Sequence, residues 1–161
     1  MVRVMASGVF DILHLGHVYY LSEAKKLGDE LIVVVARDST ARKLKHQPIM
    51  SEEIRVKMVE ALKPVDKAIL GNEDDMYKTV MEIKPDIIAL GYDQKFDEKE
   101  IAEKCRELGL NVKVVRISQF KDSDLNGTRK IIGKILSAYA FQKEIEQYEG
   151  RRESSEDSGN S

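Results

Sequence analysis

Residues 31 to 35 read Leu-Ile-Val-Val-Val without a polar break. A strand wet on one face alternates apolar and polar side chains, whereas an unbroken, mostly β-branched run asks for burial on both faces. Parallel sheets covered by helices on each side supply that environment. The chain on either side of this run alternates strand-like and helix-like patterns. The expected fold is therefore α/β: a Rossmann-like, doubly wound, five-stranded parallel sheet with helices on both faces.

In chain order, Val2 to Ser7 is a strand, Val18 to Leu27 a helix and Glu30 to Ala36 the buried strand. Asp38 to Met50 is polar and basic and contains Pro48, so it reads as a loop. Ser51 is the expected N-cap of a helix with Glu52 and Glu53 in its first turn. Ile54, Met58, Ala61 and Leu62 mark its buried face and Pro64 ends it. Val65 to Leu70 and Asp86 to Leu90 are strands closed by Gly71 and Gly91, with a helix from Met76 to Ile83 between them, stopped by Pro85. Glu98 to Leu108 is a helix ending at Gly109, Val112 to Ile117 the fifth strand, and a final helical pattern runs from about Gly127 to Tyr148.

At 161 residues, with 42% hydrophobic and 34% charged, the chain suits one domain, expected over residues 1–148. From Glu149 onward no apolar residue occurs, so residues 149–161 are expected to be a disordered polar tail. A net charge of −2 gives no bulk attraction to nucleic acid. No apolar run of membrane-spanning length and no cleavable leader is visible, and the single Cys105 forms no internal disulfide. A cytoplasmic protein is the expectation. The neighbours of Cys105 suggest a packing role.

Chemistry concentrates in Gly8-Val9-Phe10-Asp11-Ile12-Leu13-His14-Leu15-Gly16-His17, the first strand-to-helix turn, which is where such sheets bind ligands. Gly8 lets the backbone leave the strand tightly, and Gly16 removes a side chain where a ligand would press. Two of the chain's three histidines fall here, at i and i+3 near a helix N-terminus, whose free amides and dipole favour an anion. A plain capping turn is the structural alternative. Zinc is a poorer fit, because the remaining ligand candidates, Cys105 and His46, are isolated.

His14-Leu15-Gly16-His17, preceded by Gly8-Val9-Phe10-Asp11, resembles the His-x-Gly-His signature of the nucleotidyltransferase superfamily. Together with Leu31 to Asp38, the stretch is most similar to the archaeal-type FAD synthase branch. The resemblance implies that Val9, Phe10, His14, Leu15, Gly16 and His17 surround a nucleotide, the histidines holding phosphate oxygens. It also implies a phosphate-contacting lysine in the basic stretch Arg37 to Lys45, carried to Lys43 or Lys45, with Lys45 as the catalytic assignment. From charge alone that stretch is a solvated loop.

Gly91-Tyr92-Asp93-Gln94 is by itself a turn, but the resembling enzymes have Gly-x-Asp here, which makes Asp93 a nucleotide-binding candidate and Gln94 a weaker one. Asp124-Leu125-Asn126-Gly127-Thr128-Arg129-Lys130 precedes the last helix. The family pattern there is Ser/Thr-rich, so Thr128 maps cleanly onto a triphosphate-tail role and Arg129 less so. Arg55 matches an arginine of the family's Glu-Glu-x-Arg stretch, or else is a surface salt-bridge partner.

The implied activity is transfer of a nucleotidyl group to a phosphorylated acceptor with release of pyrophosphate, assisted by a divalent cation, Mg²⁺, whose protein ligand the sequence does not name. ATP and FMN, giving FAD, are the favoured substrates. CTP with glycerol 3-phosphate is the alternative, and a non-catalytic nucleotide- or flavin-binding module is the reading from another class. The resemblance also implies a homodimer.

Overall fold

The computed structural model describes residues 1–121 and 125–159. It divides into two units, Met1–Asn126 and Gly127–Ser161. In the first unit the order is β1 (Arg3–Gly8), α1 (Leu15–Lys25), β2 (Glu30–Val35), α2 (Asp38–Lys43), α3 (Glu52–Glu60), β3 (Lys67–Leu70), α4 (Met76–Ile83), β4 (Ile87–Leu90), α5 (Glu98–Glu107) and β5 (Lys113–Arg116). The strands form one parallel sheet in the order β3-β2-β1-β4-β5.

Alternation along each strand sends successive side chains to two separate cores. Val4, Ala6, Leu31, Val33 and Val35 pack with Leu21 and Ala24 of α1 and Val59 of α3. Met5, Ile32, Val34, Ile88 and Leu90 pack with Val80 and Ile83 of α4 and Ile101 and Cys105 of α5. The unbroken apolar β2 is thus buried on both faces, and Cys105 is a packing residue whose thiol burial pushes up. At the N-terminal edge, carboxylates seat the strands: Asp29 accepts the Val2 amide at 2.7 Å, Asp86 that of Arg3 at 2.8 Å and Asp66 that of Leu31 at 2.7 Å. The C-terminal edge is left to the loops of the site.

Four expectations change. The segment after β2 opens with a short helix, α2, because Pro48 lies beyond its end and its charges suit the helix dipole: Asp38 in the first turn, Arg42 and Lys43 in the last. The buried face of α3 is Arg55 and Val59, while Ile54 is 49% and Met58 53% exposed and Ala61 is exposed as well. Burying the Arg55 guanidinium rotates that apolar stripe outward. Helix α1 starts at Leu15, a turn earlier than its apolar pattern, because His14 caps it. In the second unit α6 runs Thr128–Ser158, so the helix continues into the segment that composition marks as a polar tail.

Candidate active site

Strand order reverses between β1 and β4, the kind of switch point at which parallel sheets open a ligand crevice beyond the C-terminal strand ends. His14 is the N-cap of α1 and His17 its third residue. Each ring closes the turn through Nδ1: that of His14 accepts the Gly16 amide at 3.1 Å, and that of His17 accepts the His14 amide at 3.3 Å. Two histidines thus replace the hydroxyl and carboxylate of an ordinary capping box. A neutral imidazole that accepts at Nδ1 carries its proton on Nε2. Both rings therefore offer an Nε2–H donor, and they stack with centroids 3.8 Å apart.

Burial lowers the pKa of His14 below 6.5, and burial together with repulsion from His14 takes His17 to about 3. At neutral pH both rings are uncharged donors. The amides of His14, Gly16 and His17 are satisfied within the turn, the last by the His14 carbonyl at 3.1 Å. The anion-seeking groups of this turn are thus the imidazoles and the helix dipole rather than those three amides.

Phe10 adopts a left-handed backbone with φ of 53° and is 3% exposed. Its ring lies 5.3 Å from that of His17 and 6.4 Å from that of Tyr20, whose hydroxyl donates to the Ala89 carbonyl at 2.5 Å. A Cβ at Gly8 would come within 2.9 Å of the Phe10 ring, so Gly8 makes room for the ring that backs His17. At Gly16 the close approach comes from the protein itself: a Cβ there would meet the Asn126 carbonyl at 2.7 Å and the His14 ring at 2.8 Å. The Leu15 side chain is 57% exposed.

Arg55 is 0% exposed. Its Nη1 donates to the carbonyls of Val9 and Ala36, each at 2.7 Å, its Nε to that of Met50 at 3.0 Å, and its Nη2 to the Asp38 carboxylate at 2.7 Å. Its hydrogen bonds thus tie the ends of β1 and β2 to the starts of α2 and α3. It is neither a surface salt-bridge partner nor placed to turn its fork toward a ligand. The same bond holds the Asp38 carboxyl below its ordinary range. Asp11, which spacing did not single out, accepts the amides of Ile49 at 2.8 Å and Met50 at 2.9 Å, fastening the basic segment to the histidine turn.

Of the two lysine candidates, Lys45 lies in a left-handed conformation just past α2, with φ of 61°, and lines a recess of about 220 Å³ with Arg42, His46 and Gln47. Lys43 is exposed in the last turn of α2 and does not line it.

At the end of β4, Asp93 is exposed, beside Gln94, whose amide is spent on the fold. Gln94 Oε1 accepts the Gly91 amide at 2.8 Å and Nε2 donates to the Ser7 carbonyl at 2.9 Å, joining the two loops of the crevice. Thr128 and the exposed Arg129 open α6 in the second unit. Asp124, in the same sequence block, lies outside the described residues.

Residues 5–149 match the cytidylyltransferase-like family model. Over 136 residues the chain is 72% identical to the FAD synthase of Aciduliprofundum boonei, an alignment covering 84% of this chain and 91% of that one. It is 62% identical to the FAD synthase of Thermoplasma acidophilum, with 84% and 95% covered, and 55% identical to that of Archaeoglobus profundus, with 92% and 94% covered. A crystal structure of a Thermoplasma volcanium protein, described as a lipopolysaccharide core biosynthesis protein, is 64% identical. It superposes with a TM-score of 0.74 over 75% of this chain and 99% of that one.

Proposed function

We infer the reaction from one premise, that this chain belongs to the cytidylyltransferase-like family: it is a nucleotidyltransferase, and its reaction is the one its relatives are named for, ATP and FMN giving FAD and pyrophosphate. A phosphate oxygen of FMN attacks the α-phosphorus of ATP, and the bond from that phosphorus to the bridging β-oxygen breaks. Both reactants are anions, so catalysis consists of bringing them together and stabilising the charge on the α-phosphoryl group.

The observation that carries this reading is the pair of Nδ1 bonds at the head of α1. They fix both imidazoles as Nε2–H donors before any ligand arrives, and such donors need no reorganisation at the moment of reaction. In this reading His14 and His17 hold α- and β-phosphate oxygens, Lys45 and its recess attract a phosphate, and Asp93 meets the sugar or base. Val9 and Phe10 contribute backbone and backing, and Arg55 holds the loops in place.

Among the described residues no group of three or more His, Cys, Asp and Glu side chains is placed to hold a metal ion. In this reading Mg²⁺ would accompany ATP and neutralise part of the triphosphate charge. Among the described residues no helix is long and apolar enough to cross a membrane. A cytoplasmic homodimer belongs to the same reading, and sedimentation of the wild type and of Ile54→Arg tests the dimer on the apolar stripe exposed along α3.

The deciding experiment crosses ATP and CTP against FMN and glycerol 3-phosphate with Mg²⁺ and measures pyrophosphate. Release with ATP plus FMN, with FAD as co-product, is the expected result. Release only with CTP plus glycerol 3-phosphate replaces it, and binding without release in every mixture makes the chain a binding module.

A further inference from the structure

Arg116 ends β5, and all the described bonds of its side chain go to the loop that follows β4 and the helix after it. Nη1 donates to the carbonyls of Gly91 and Gln94, each at 2.9 Å, Nη2 donates to that of Phe96 at 2.5 Å, and Nε pairs with the Glu98 carboxylate. The loop is also cross-braced from within, because the Gln94 amide donates to the Gly91 carbonyl at 3.3 Å while its side chain spans Gly91 and Ser7. Between these fixed points stand Tyr92, 48% exposed, and Asp93, also exposed. A planar guanidinium that reaches three carbonyls at once fixes a loop's path in a way that a single ammonium does not.

We propose that Arg116 is a positioning residue for the nucleotide: by clamping the carbonyls of Gly91, Gln94 and Phe96 it holds the Tyr92–Asp93 tip where it selects the base and sugar of the incoming triphosphate. The proposal rests on the nucleotidyltransferase reading above, with Asp93 as a nucleotide contact. Arg116 touches no substrate and acts only through that tip. Selectivity between ATP and CTP is therefore set partly from the edge strand of the sheet.

The test compares wild type, Arg116→Lys, Glu98→Gln, Asp93→Asn and the double variant Arg116→Lys/Asp93→Asn, each checked for folding by its melting transition. Steady-state constants are measured with ATP, CTP and FMN. Arg116→Lys is expected to raise KM for ATP about tenfold and to narrow the ATP-to-CTP ratio of kcat/KM, with KM for FMN within about twofold. Glu98→Gln, which removes the ion pair and leaves the three carbonyl bonds, is expected to keep the wild-type constants. In the Asp93→Asn background the lysine change should add less than about twofold, since both act through one contact.

The clamp is overturned if Arg116→Lys lowers only the melting temperature, if the ATP and FMN constants move together, or if the two substitutions multiply independently. A wild type that makes no FAD from ATP and FMN would instead remove the functional reading itself.

Discussion

His17 accepts the backbone amide of His14 through Nδ1 at 3.3 Å, so the orientation of one imidazole is set by the residue that bears the other. Replacing His17 with Ala removes a preoriented Nε2–H donor and frees the His14 amide. Turnover should fall about 100-fold or more, the usual cost of losing one transition-state donor, while the fold persists. Pyrophosphate release and circular dichroism on the same sample check both parts.

The buried state of His17 also has a pH signature. Folded, it titrates at about 3; unfolded, near 6.5. Between those values the unfolded chain binds a proton that the folded chain refuses, so the contribution to stability is complete above about pH 6.5 and is lost as pH falls. Urea midpoints at about pH 7 and pH 5 should drop more for wild type than for His17→Gln.

Arg55→Met leaves the Val9, Ala36 and Met50 carbonyls and the Asp38 carboxylate without their donor. Leaving a buried carbonyl without its donor costs roughly 1–3 kcal/mol, and the Asp38 carboxylate, 28% exposed, adds less. Denaturant unfolding should show a loss of that order, whereas Arg37→Met, at a partly exposed pair with Glu52, should lose less.

Gly16→Ala places a Cβ 2.7 Å from the Asn126 carbonyl and 2.8 Å from the His14 ring. Both contacts are too short for a real Cβ, so the ring at the reacting end must shift and the backbone must give way as well. Activity should fall at least about tenfold, because a small misplacement at a reacting group is costly, and the melting temperature should fall with it.

Lys45→Ala should reduce kcat/KM by about 10-fold or more and Lys43→Ala by less than about threefold, because only the former lines the basic recess. Equal effects would return the choice between them to open.

The sheet was legible because its signals are strong and local. An unbroken apolar β2, Pro85 before β4 and Gly109 at φ of 83° after α5 each admit few alternatives. The histidine turn was legible for the same reason. The arginines were not. Whether Arg55 is a ligand, a surface partner or a buried tie depends on four acceptors at sequence distances from five to 46, and that single burial also decides which face of α3 looks inward. Arg116 carries no motif; its role comes from register, which sets Leu90 of β4 against it and brings the following loop within reach of its fork.

β1 precedes the other four strands of its sheet in the chain, yet it is the middle strand of the finished sheet. On a ribosome it meets β2 within a few dozen residues, but its other edge waits for β4, which begins at Ile87, and the strut from Gln94 back to Ser7 comes later still. A growing chain therefore has its histidine turn early and its crevice late. Until then the edge of β1 that β4 will cover is bare and open to a wrong partner strand.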